Sequence, residues 1–252
     1  MVLVAEESKG TLGADGRLVE AEGLCLKCFF HSASVLYLSR STTLTEMQVS
    51  FFDSASINVL ARAAFETFLI FHYVFVRPKT DDEKDFRYMS WVLSDLLQRQ
   101  TYPVEFPESQ QRLESEKECI DLLIAKIHAN KSFLALTPKQ QQQLLKKKLW
   151  RFHSWTDIAL SAGISHKHAE SFYHHLCSYA HAGNLSVLQL TQARTAEAQR
   201  GLHSGTLGLL KITMANMVKA YCEVFPKSEA VLEDNPTFQE TVRRWLYIGA
   251  NA

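Results

Sequence analysis

The sequence contains few of the residues that interrupt helices: there are 10 glycines and 6 prolines among its 252 residues. It also lacks stretches of alternating apolar and polar residues, the pattern of a strand with one buried face. Apolar residues instead recur at spacings of three and four along most of the chain, as they do on one face of a helix. These features predict an all-α fold, a single multi-helix bundle of about seven to nine helices.

Charge of one sign is not in excess either. The chain has 27 basic and 27 acidic residues, so its formal net charge is zero. Proteins that bind nucleic acid mainly through the phosphate backbone are usually strongly basic, and the charge balance disfavours that class. A local basic patch remains compatible with the balance.

Cysteine is sparse and odd in number. The five cysteines are Cys25, Cys28, Cys119, Cys177 and Cys222. They do not form the dense, even set of a disulfide framework, and the one CxxC motif lies in an apolar helical pattern where packing explains it. The N-terminus lacks the basic and apolar regions of a secretory signal. We therefore expect a cytoplasmic protein with reduced thiols.

Several common catalytic motifs are missing. The chain contains no GxGxxG, GxxxxGK[ST], HExxH or GxSxG. Nucleotide-binding loops, zincin proteases and α/β-hydrolases therefore have no support. We expect no cofactor.

Cap signals and prolines divide the chain into helices. We predict a flexible N-terminal arm, residues 1–17, and one all-α domain, residues 18–252. Thr80 to Glu83 reads as a capping box, and Thr137 to Gln140 is another helix N-terminal motif. The predicted helices are residues 18–39, 54–76, 80–103, 108–129, one from 137, a short one after 155, 165–182, 206–224 and 236–247.

The most apolar segment of the chain is residues 58–76, "NVLARAAFETFLIFHYVFV". With its preceding residue it is about long enough to span a bilayer. Arg62, Glu66 and His72 would then lie at membrane depth, which is costly. We therefore predict a buried helix of a soluble bundle and no membrane association.

Polar residues form a narrow stripe on this helix. Asn58, Arg62, Glu66 and Tyr73 fall on one side at 100° per residue, and Arg62 and Glu66 are spaced to form an i, i+4 pair. Either the stripe is the solvent face, or it faces an interior cleft and meets polar groups of another helix. Because most of the surrounding helix surface is apolar, we favour the second interpretation. Such a network can be structural or functional.

A second polar cluster occupies the helix predicted at residues 165–182. His174, Cys177, Ser178 and His181 share one helical face. One tetrahedral metal ion cannot easily reach both His174 and His181, which lie two helical turns apart. A metal site would therefore use Cys177 with one of the two histidines, and its other ligands would come from elsewhere in the chain. Alternatively, the histidines are ordinary neutral side chains, or His181 acts as an acid, a base or a phosphate contact.

A basic cluster lies between the two polar segments. Lys146, Lys147, Lys148 and Arg151 flank Trp150, with Trp155 close by. Exposed indoles beside lysines can stack on nucleobases, but such a run is more often a solvated face with its tryptophans in the core. Both interpretations stay open.

Residues 50–185 resemble a bacterial, all-helical family of unknown function. The shared features are the Arg-x-x-x-Glu of "LARAAFE", a Trp at 150 or 155, and then Tyr173, Ser178 and His181 in "FYHHLCSYAH". The arrangement is also similar to HEPN-type proteins, an antiparallel helical fold that includes many RNases of toxin–antitoxin and antiphage systems. Their Arg-x4–6-His hallmark is absent here. An equivalent pair would have to form in space, from Arg62 and His181.

The resemblance implies a metal-independent RNase toxin of a stress or antiphage system. His181 would transfer protons, Arg62 would stabilise the transition state, and Glu66 would hold Arg62. The predicted substrate-binding residues are Asn58, Tyr73, Tyr173, Ser178, Lys147 and Arg151. Expected partners are RNA, a partner protein or antitoxin, and a second copy in a homodimer.

Two other functions remain open. The chain can be a non-enzymatic helical interaction module that binds a protein or small ligand, or a metalloprotein that uses Cys177 with His174 or His181.

Overall fold

The chain folds into α-helices with one small β-hairpin. The computed structural model describes residues 16–251, apart from the side chain of Lys147. The helices before residue 148 are α1 (Arg17–Leu38), α2 (Ser54–Phe71), α3 (Asp81–Arg99), α4 (Pro107–Ala129), α5 (Lys131–Leu134) and α6 (Pro138–Lys147). Those after it are α7 (Trp155–Ser161), α8 (His166–Ala180), α9 (Asn184–Gln192), α10 (Ala196–Val224), α11 (Glu229–Glu233) and α12 (Pro236–Ala250). The all-α prediction is confirmed.

The hairpin lies between the first two predicted helices, where the sequence predicts no helix. Strand β1 (Thr42–Leu44) pairs antiparallel with β2 (Val49–Phe51), and Thr42 lies opposite Phe51. A short 3-10 turn (Thr45–Met47) joins them, and Gln48 completes it with a left-handed φ of 52°. Strands of three residues with mostly exposed side chains leave too short an alternating pattern to detect.

The chain divides into two compact units. One consists of residues 16–72 and 155–251, and the other of residues 73–154. Most of the predicted N-terminal arm, residues 1–15, lies outside the described residues. The prediction of one domain stays a prediction.

Helix α2 is the centre of the first unit. It packs against α1, α7, α8 and α10. Phe65, Phe68 and Leu69 of α2 are buried almost completely, as is Tyr221 of α10. Asp53 caps the start of α2 by accepting the N–H of Ser56 (2.9 Å). Contact with neighbours on most sides explains why so much of the α2 surface is apolar.

A change of helix type follows α2. Residues His72–Val76 form a π-helical turn directly after Phe71. Pro78 then follows, and Thr80 caps α3 by accepting the N–H of Glu83 (3.2 Å). The predicted capping box is only half present, because the Glu83 carboxylate accepts from Lys79 N–H (2.8 Å) instead of Thr80.

The second unit has its own apolar core between α3, α4, α5 and α6. Leu93, Ile127, Phe133 and Leu144 are fully or almost fully buried there. Thr137 and Gln140 form a complete capping box at the start of α6, as their spacing predicts.

Two features of the helical pattern differ from expectation. Twelve α-helices occur in residues 16–251, more than the seven to nine predicted, because α5, α9 and α11 are short. Helix α10 begins at Ala196 and not near residue 206. The side chain of Thr195 caps it by accepting the N–H of Ala198 (3.1 Å).

One helical stretch of the described residues, Ser54–Val76, is long and apolar enough to cross a membrane, with a mean hydropathy of 1.6. In that window 56% is buried inside the protein. Burial of this kind is typical of the core helix of a soluble protein, and Arg62 and Glu66 at bilayer depth would be costly.

Candidate functional site

Arg62 and Glu66 form an ion pair on α2, as their spacing predicts. Arg62 Nε donates to Glu66 Oε1 at 3.0 Å. The two side chains are 18% and 26% exposed, so the pair is neither sealed in the core nor free in solvent. A guanidinium fixed by a carboxylate presents its remaining N–H groups in a defined direction.

The end of α8 places His181. The N–H of His181 donates to the carbonyl of Cys177 (3.0 Å) and Gly183 N–H donates to Ser178 O (2.7 Å), with Ala182 at a left-handed φ of 51°. This arrangement is a Schellman motif, which turns the chain sharply at a helix end. A Cβ at position 183 would lie 2.6 Å from Ser178 Oγ, so only glycine allows this approach without a shift.

Arg62 and His181 meet across the two helices. The distance from Arg62 Nη1 to His181 Nε2 is 3.1 Å. A guanidinium only donates, so Nε2 accepts and the proton of the neutral ring is on Nδ1. His181 is exposed, and the pair can therefore be reached by a solute.

Tyr173 and Cys177 complete the cluster from α8. The guanidinium carbon of Arg62 lies 5.7 Å from the centre of the Tyr173 ring, within the range of a cation–π contact. Tyr173 also shares a hydrogen bond with Cys177, one turn further along the helix. Burial and this hydrogen bond raise the pKa of Tyr173 to about 12, so its hydroxyl stays protonated and can donate near neutral pH.

The charge of Arg62 is held firmly. Burial alone would lower the pKa of Arg62, but the attraction of Glu66 and the hydrogen bond between them outweigh it and raise the pKa. The site thus contains a permanent cation, a carboxylate that orients it and an imidazole. Arg62, Glu66, Tyr173 and His181 are predicted site residues that the structure brings together.

Asn58 lies outside this cluster. It is fully buried, its Nδ2 donates to the Ser54 carbonyl (2.7 Å), and its Oδ1 accepts from Thr206 Oγ1 (2.6 Å). The side chain therefore ties α2 to α10, and its predicted contact with a substrate has no support from this position.

Tyr73 belongs to the second unit, where it contacts residues of that unit. The Arg87 guanidinium lies 4.2 Å from the centre of its ring, and the Trp150 ring packs edge-on at 5.6 Å. Burial raises the pKa of Tyr73 despite the opposing effects of Arg87 and Arg77. Arg87 in turn is buried, pairs with Glu83 and donates to the Tyr73 carbonyl (2.8 Å).

The remaining predicted residues have separate positions. Ser178 lies at the end of α8, where its carbonyl accepts from Gly183 N–H and from Ser186 Oγ (3.1 Å). Arg151 is half-buried in the second unit and donates to the His153 carbonyl. Lys147 ends α6, and its side chain lies outside the described residues. Their predicted substrate contacts stay predictions.

The histidine-rich face of α8 is the predicted candidate for metal binding. Among the side chains of residues 16–251, no three His, Cys, Asp or Glu are grouped closely enough to hold a metal ion. His174 is exposed, and His175 packs edge-on against Tyr179 at 5.2 Å. Burial lowers the pKa of His175.

Cys177 is the cluster member that sequence reasoning left out of the site. It follows Tyr173 by four residues and precedes His181 by four, a spacing that indicates one side of the helix. The sequence prediction instead groups Cys177 with His174, Ser178 and His181. Arg62, the common neighbour of Tyr173, Cys177 and His181, comes from another helix, which the spacing cannot reveal.

A family model described as a family of unknown function (DUF5677) matches residues 24–197 of the chain. No curated protein and no solved structure matches the chain. The matched range includes Arg62, Glu66, Tyr173, Cys177 and His181, and extends beyond the range of the resemblance on both sides.

Proposed function

The chain belongs to the DUF5677 family, a family of unknown function, and we propose that it is an HEPN-like endoribonuclease that cleaves RNA without a metal ion. The biological setting that we propose is a bacterial stress or antiphage system, with the protein acting in the cytoplasm as a toxin. The HEPN-like antiparallel core is part of this proposal.

The observation that carries the proposal is the contact of 3.1 Å between Arg62 Nη1 and His181 Nε2. A cation and an imidazole at this distance can bind one phosphate group together. Nη1 and Nε2 are one hydrogen-bond length apart, so a phosphate oxygen that displaces the direct contact could lie within hydrogen-bond distance of both. The exposed position of His181 leaves the pair open to a polymer.

The chemical step needs only these side chains and the 2′-hydroxyl of RNA. A phosphate oxygen replaces His181 as the acceptor of Arg62, and Nε2 of His181 then takes the proton of the 2′-hydroxyl. The 2′-oxygen attacks phosphorus, the bond to the 5′-oxygen breaks, and His181 returns the proton to that oxygen. The products are a 2′,3′-cyclic phosphate and a 5′-hydroxyl, so no water molecule or metal ion is consumed.

The neighbouring groups would position Arg62. Glu66 fixes the guanidinium through Nε and leaves the Nη side for the developing negative charge on phosphorus. The Tyr173 ring covers one face of the guanidinium and restricts its rotation. The Tyr173 hydroxyl, held protonated, is a further donor on the same helix.

An RNA cleavage assay in the presence of EDTA tests the proposal. We expect cleavage of mixed-sequence RNA with 2′,3′-cyclic phosphate ends, and no cleavage when the RNA is 2′-deoxy-substituted. His181→Ala and Arg62→Ala should each reduce the rate by about a hundredfold or more. His166→Ala is the matched control, because His166 is exposed at the start of α8 and pairs only with Glu170 among the described contacts.

Two results would overturn the proposal. One is an absence of cleavage across a panel of structured and single-stranded RNAs by folded wild-type protein. The other is full activity of folded His181→Ala and Arg62→Ala preparations, which would assign the activity to a contaminant.

A second candidate is a non-enzymatic interaction module in which the same network fixes the contact of α2 with α8. This candidate is favoured because Arg62 already makes two hydrogen bonds within the protein, from Nε to Glu66 and from Nη1 to His181. In this case Arg62→Ala lowers the free energy of unfolding, and no RNA is turned over by any preparation.

A further inference from the structure

Helix α1 carries a large apolar surface that nothing in residues 16–251 covers. Val19, Leu26, Phe30, Leu36 and Tyr37 are between 51% and 75% exposed. Contiguous exposed apolar patches of this kind are uncommon on monomeric soluble proteins and mark interaction surfaces.

Four of these five residues follow a heptad. Spacings of four, three, four, three and four residues join a set that we call the α1 stripe: Val19, Gly23, Leu26, Phe30, Ala33 and Tyr37. This is the a/d seam of a helix that packs lengthwise against another helix. The opposite face of α1, with Ala21, Leu24, Cys25, Cys28 and Val35, is buried in the core of its own chain. Helix α1 therefore has one apolar face for its own core and a second one that no other part of residues 16–251 covers.

The α1 stripe also matches its own reversed copy. When two α1 helices run antiparallel about a twofold axis at residue 28, Val19 lies opposite Tyr37, Gly23 opposite Ala33, and Leu26 opposite Phe30. Each large residue meets a large one, and the two small residues meet each other. We propose that a second copy of this chain covers the α1 stripe in a symmetric, antiparallel dimer.

The available surface is sufficient for such an interface. The exposed fractions of the four large side chains of the α1 stripe and of Leu36, which flanks it, correspond to roughly 600 Å² of surface per copy. Two copies that cover all of it would bury roughly 1,200 Å², the lower end of the range for specific, stable interfaces. The antiparallel orientation also brings helix ends of opposite partial charge together. A parallel pair would instead place Glu20 beside Glu20 and Lys27 beside Lys27.

A second copy accounts for the pattern better than a different partner does. To bind an unrelated helix, α1 needs only an apolar face. The six positions of the α1 stripe need to pair large with large and small with small in reversed order only when both helices have the same sequence. Small residues at Gly23 and Ala33 let two backbones approach closely, which a flat apolar patch for a different partner does not require.

The first test is the molar mass of the full chain by light scattering over a concentration series. We expect a dimer at about 100 μM that dissociates on dilution, with a dissociation constant in the micromolar range. Leu26→Glu should give a monomer, because it places a carboxylate in the seam. Leu122→Glu is the control, since Leu122 is exposed to a similar extent (55%) on α4 and should leave the dimer intact.

A second variant distinguishes a specific helix–helix interface from nonspecific apolar association. No atom of residues 16–251 lies within 4 Å of a Cβ placed on Gly23, so these residues leave room for Gly23→Leu within one chain. It adds apolar surface, yet we expect it to weaken the dimer by about tenfold or more because two leucine-sized groups cannot fill a layer built for glycine and alanine. Nonspecific association would be strengthened by the same change.

The orientation is tested by a charge pair. Val19→Lys and Tyr37→Glu should each weaken the dimer, and the double variant should restore much of the loss, because the two positions face each other only in the antiparallel arrangement. A wild-type chain that stays monomeric at about 100 μM, a Gly23→Leu chain that dimerises at least as tightly, or a double variant without recovery would each overturn the proposal.

Discussion

Arg62 and His181 are 119 residues apart in sequence and 3.1 Å apart in space. Arg62 is fixed along its own helix by Glu66, whereas His181 is fixed by the backbone turn that ends α8. A side-chain contact and a helix terminus therefore define the geometry of the site together, and each can be changed separately.

We expect Glu66→Gln to have a small effect on stability. The glutamine oxygen can still accept from Arg62 Nε, and only the charge is lost, so the free energy of unfolding should fall by about 0.5 kcal/mol for a partly exposed i, i+4 pair. Urea unfolding measures this. Arg62→Ala should cost about 1–2 kcal/mol, because the contacts to His181 and Tyr173 are lost as well. Equal costs for the two variants would mean that the charge of Glu66 dominates the cluster.

The turn after α8 predicts opposite effects for adjacent substitutions. Ala182 has a left-handed φ of 51°, so Ala182→Gly should raise the free energy of unfolding by about 1 kcal/mol. Gly183→Ala should lower it by about 1–3 kcal/mol, because the new Cβ meets Ser178 Oγ.

A companion variant checks the cause. Adding Ser178→Ala to Gly183→Ala removes the Oγ and should recover part of the loss, whereas Ser178→Ala alone should not raise stability. Thermal and urea unfolding report the stability. If the proposed RNA cleavage is observed, Gly183→Ala should also lower it, because the turn places His181.

Asn58 and Thr206 should behave as a buried pair. Asn58→Ala leaves the Thr206 hydroxyl without its acceptor, and we expect a loss of about 2–4 kcal/mol. Replacing both, with Asn58→Leu and Thr206→Val, should cost clearly less than the two single changes added together, because apolar groups then meet each other. Strict additivity in the double-mutant cycle would contradict the contact of 2.6 Å.

The burial of His203 leads us to expect that the free energy of unfolding decreases as the pH is lowered. Burial lowers its pKa, Arg200 acts in the same direction, and a backbone contact of Gln199 opposes them. The stabilising effect is therefore present above the ordinary pKa of about 6.5 and is lost as pH falls through the lower folded value, because the unfolded state binds the proton first. The pKa values of His31 and His175 are lowered as well and add to the loss.

Urea unfolding near pH 7.5 and pH 5.5 measures this dependence. His203→Gln retains a polar partner for Ser54 Oγ, which contacts His203 Nδ1 at 3.1 Å, and should flatten the slope. The exposed His166→Gln variant is the control. An unchanged slope in His203→Gln would mean that other groups control the acid sensitivity.

The sequence predicts helices well where apolar periodicity and a cap coincide. Helix α1 was expected at residues 18–39 and occurs at Arg17–Leu38, and α2 begins at Ser54 as expected. The sequence does not indicate the first turns of α10 because Gly201 and Gly205 lower the local helix propensity, each by about 1 kcal/mol relative to alanine. Burial of residues such as His203 and Thr206 supports the helix there, and tertiary contacts are not visible in a local pattern.

Each half of the candidate site follows from spacing, but the contact between the two halves does not. Arg62 and Glu66 are an i, i+4 pair, and Tyr173, Cys177 and His181 share a face, so each half could be predicted from its own helix. Tyr73 could not be placed by the same count. The helix changes to a π turn at His72, so 100° per residue no longer describes the direction of the next side chains.

The hydrogen bond from Arg62 to His181 uses the one lone pair of a neutral imidazole. An anion that takes over the Nη1 donor would free that lone pair to accept from another group, such as a hydroxyl. A hydroxyl that donates to His181 would in turn free Nη1 for an anion. By thermodynamic linkage, anion binding at Arg62 and hydroxyl binding at His181 must be positively coupled, to the same extent in both directions.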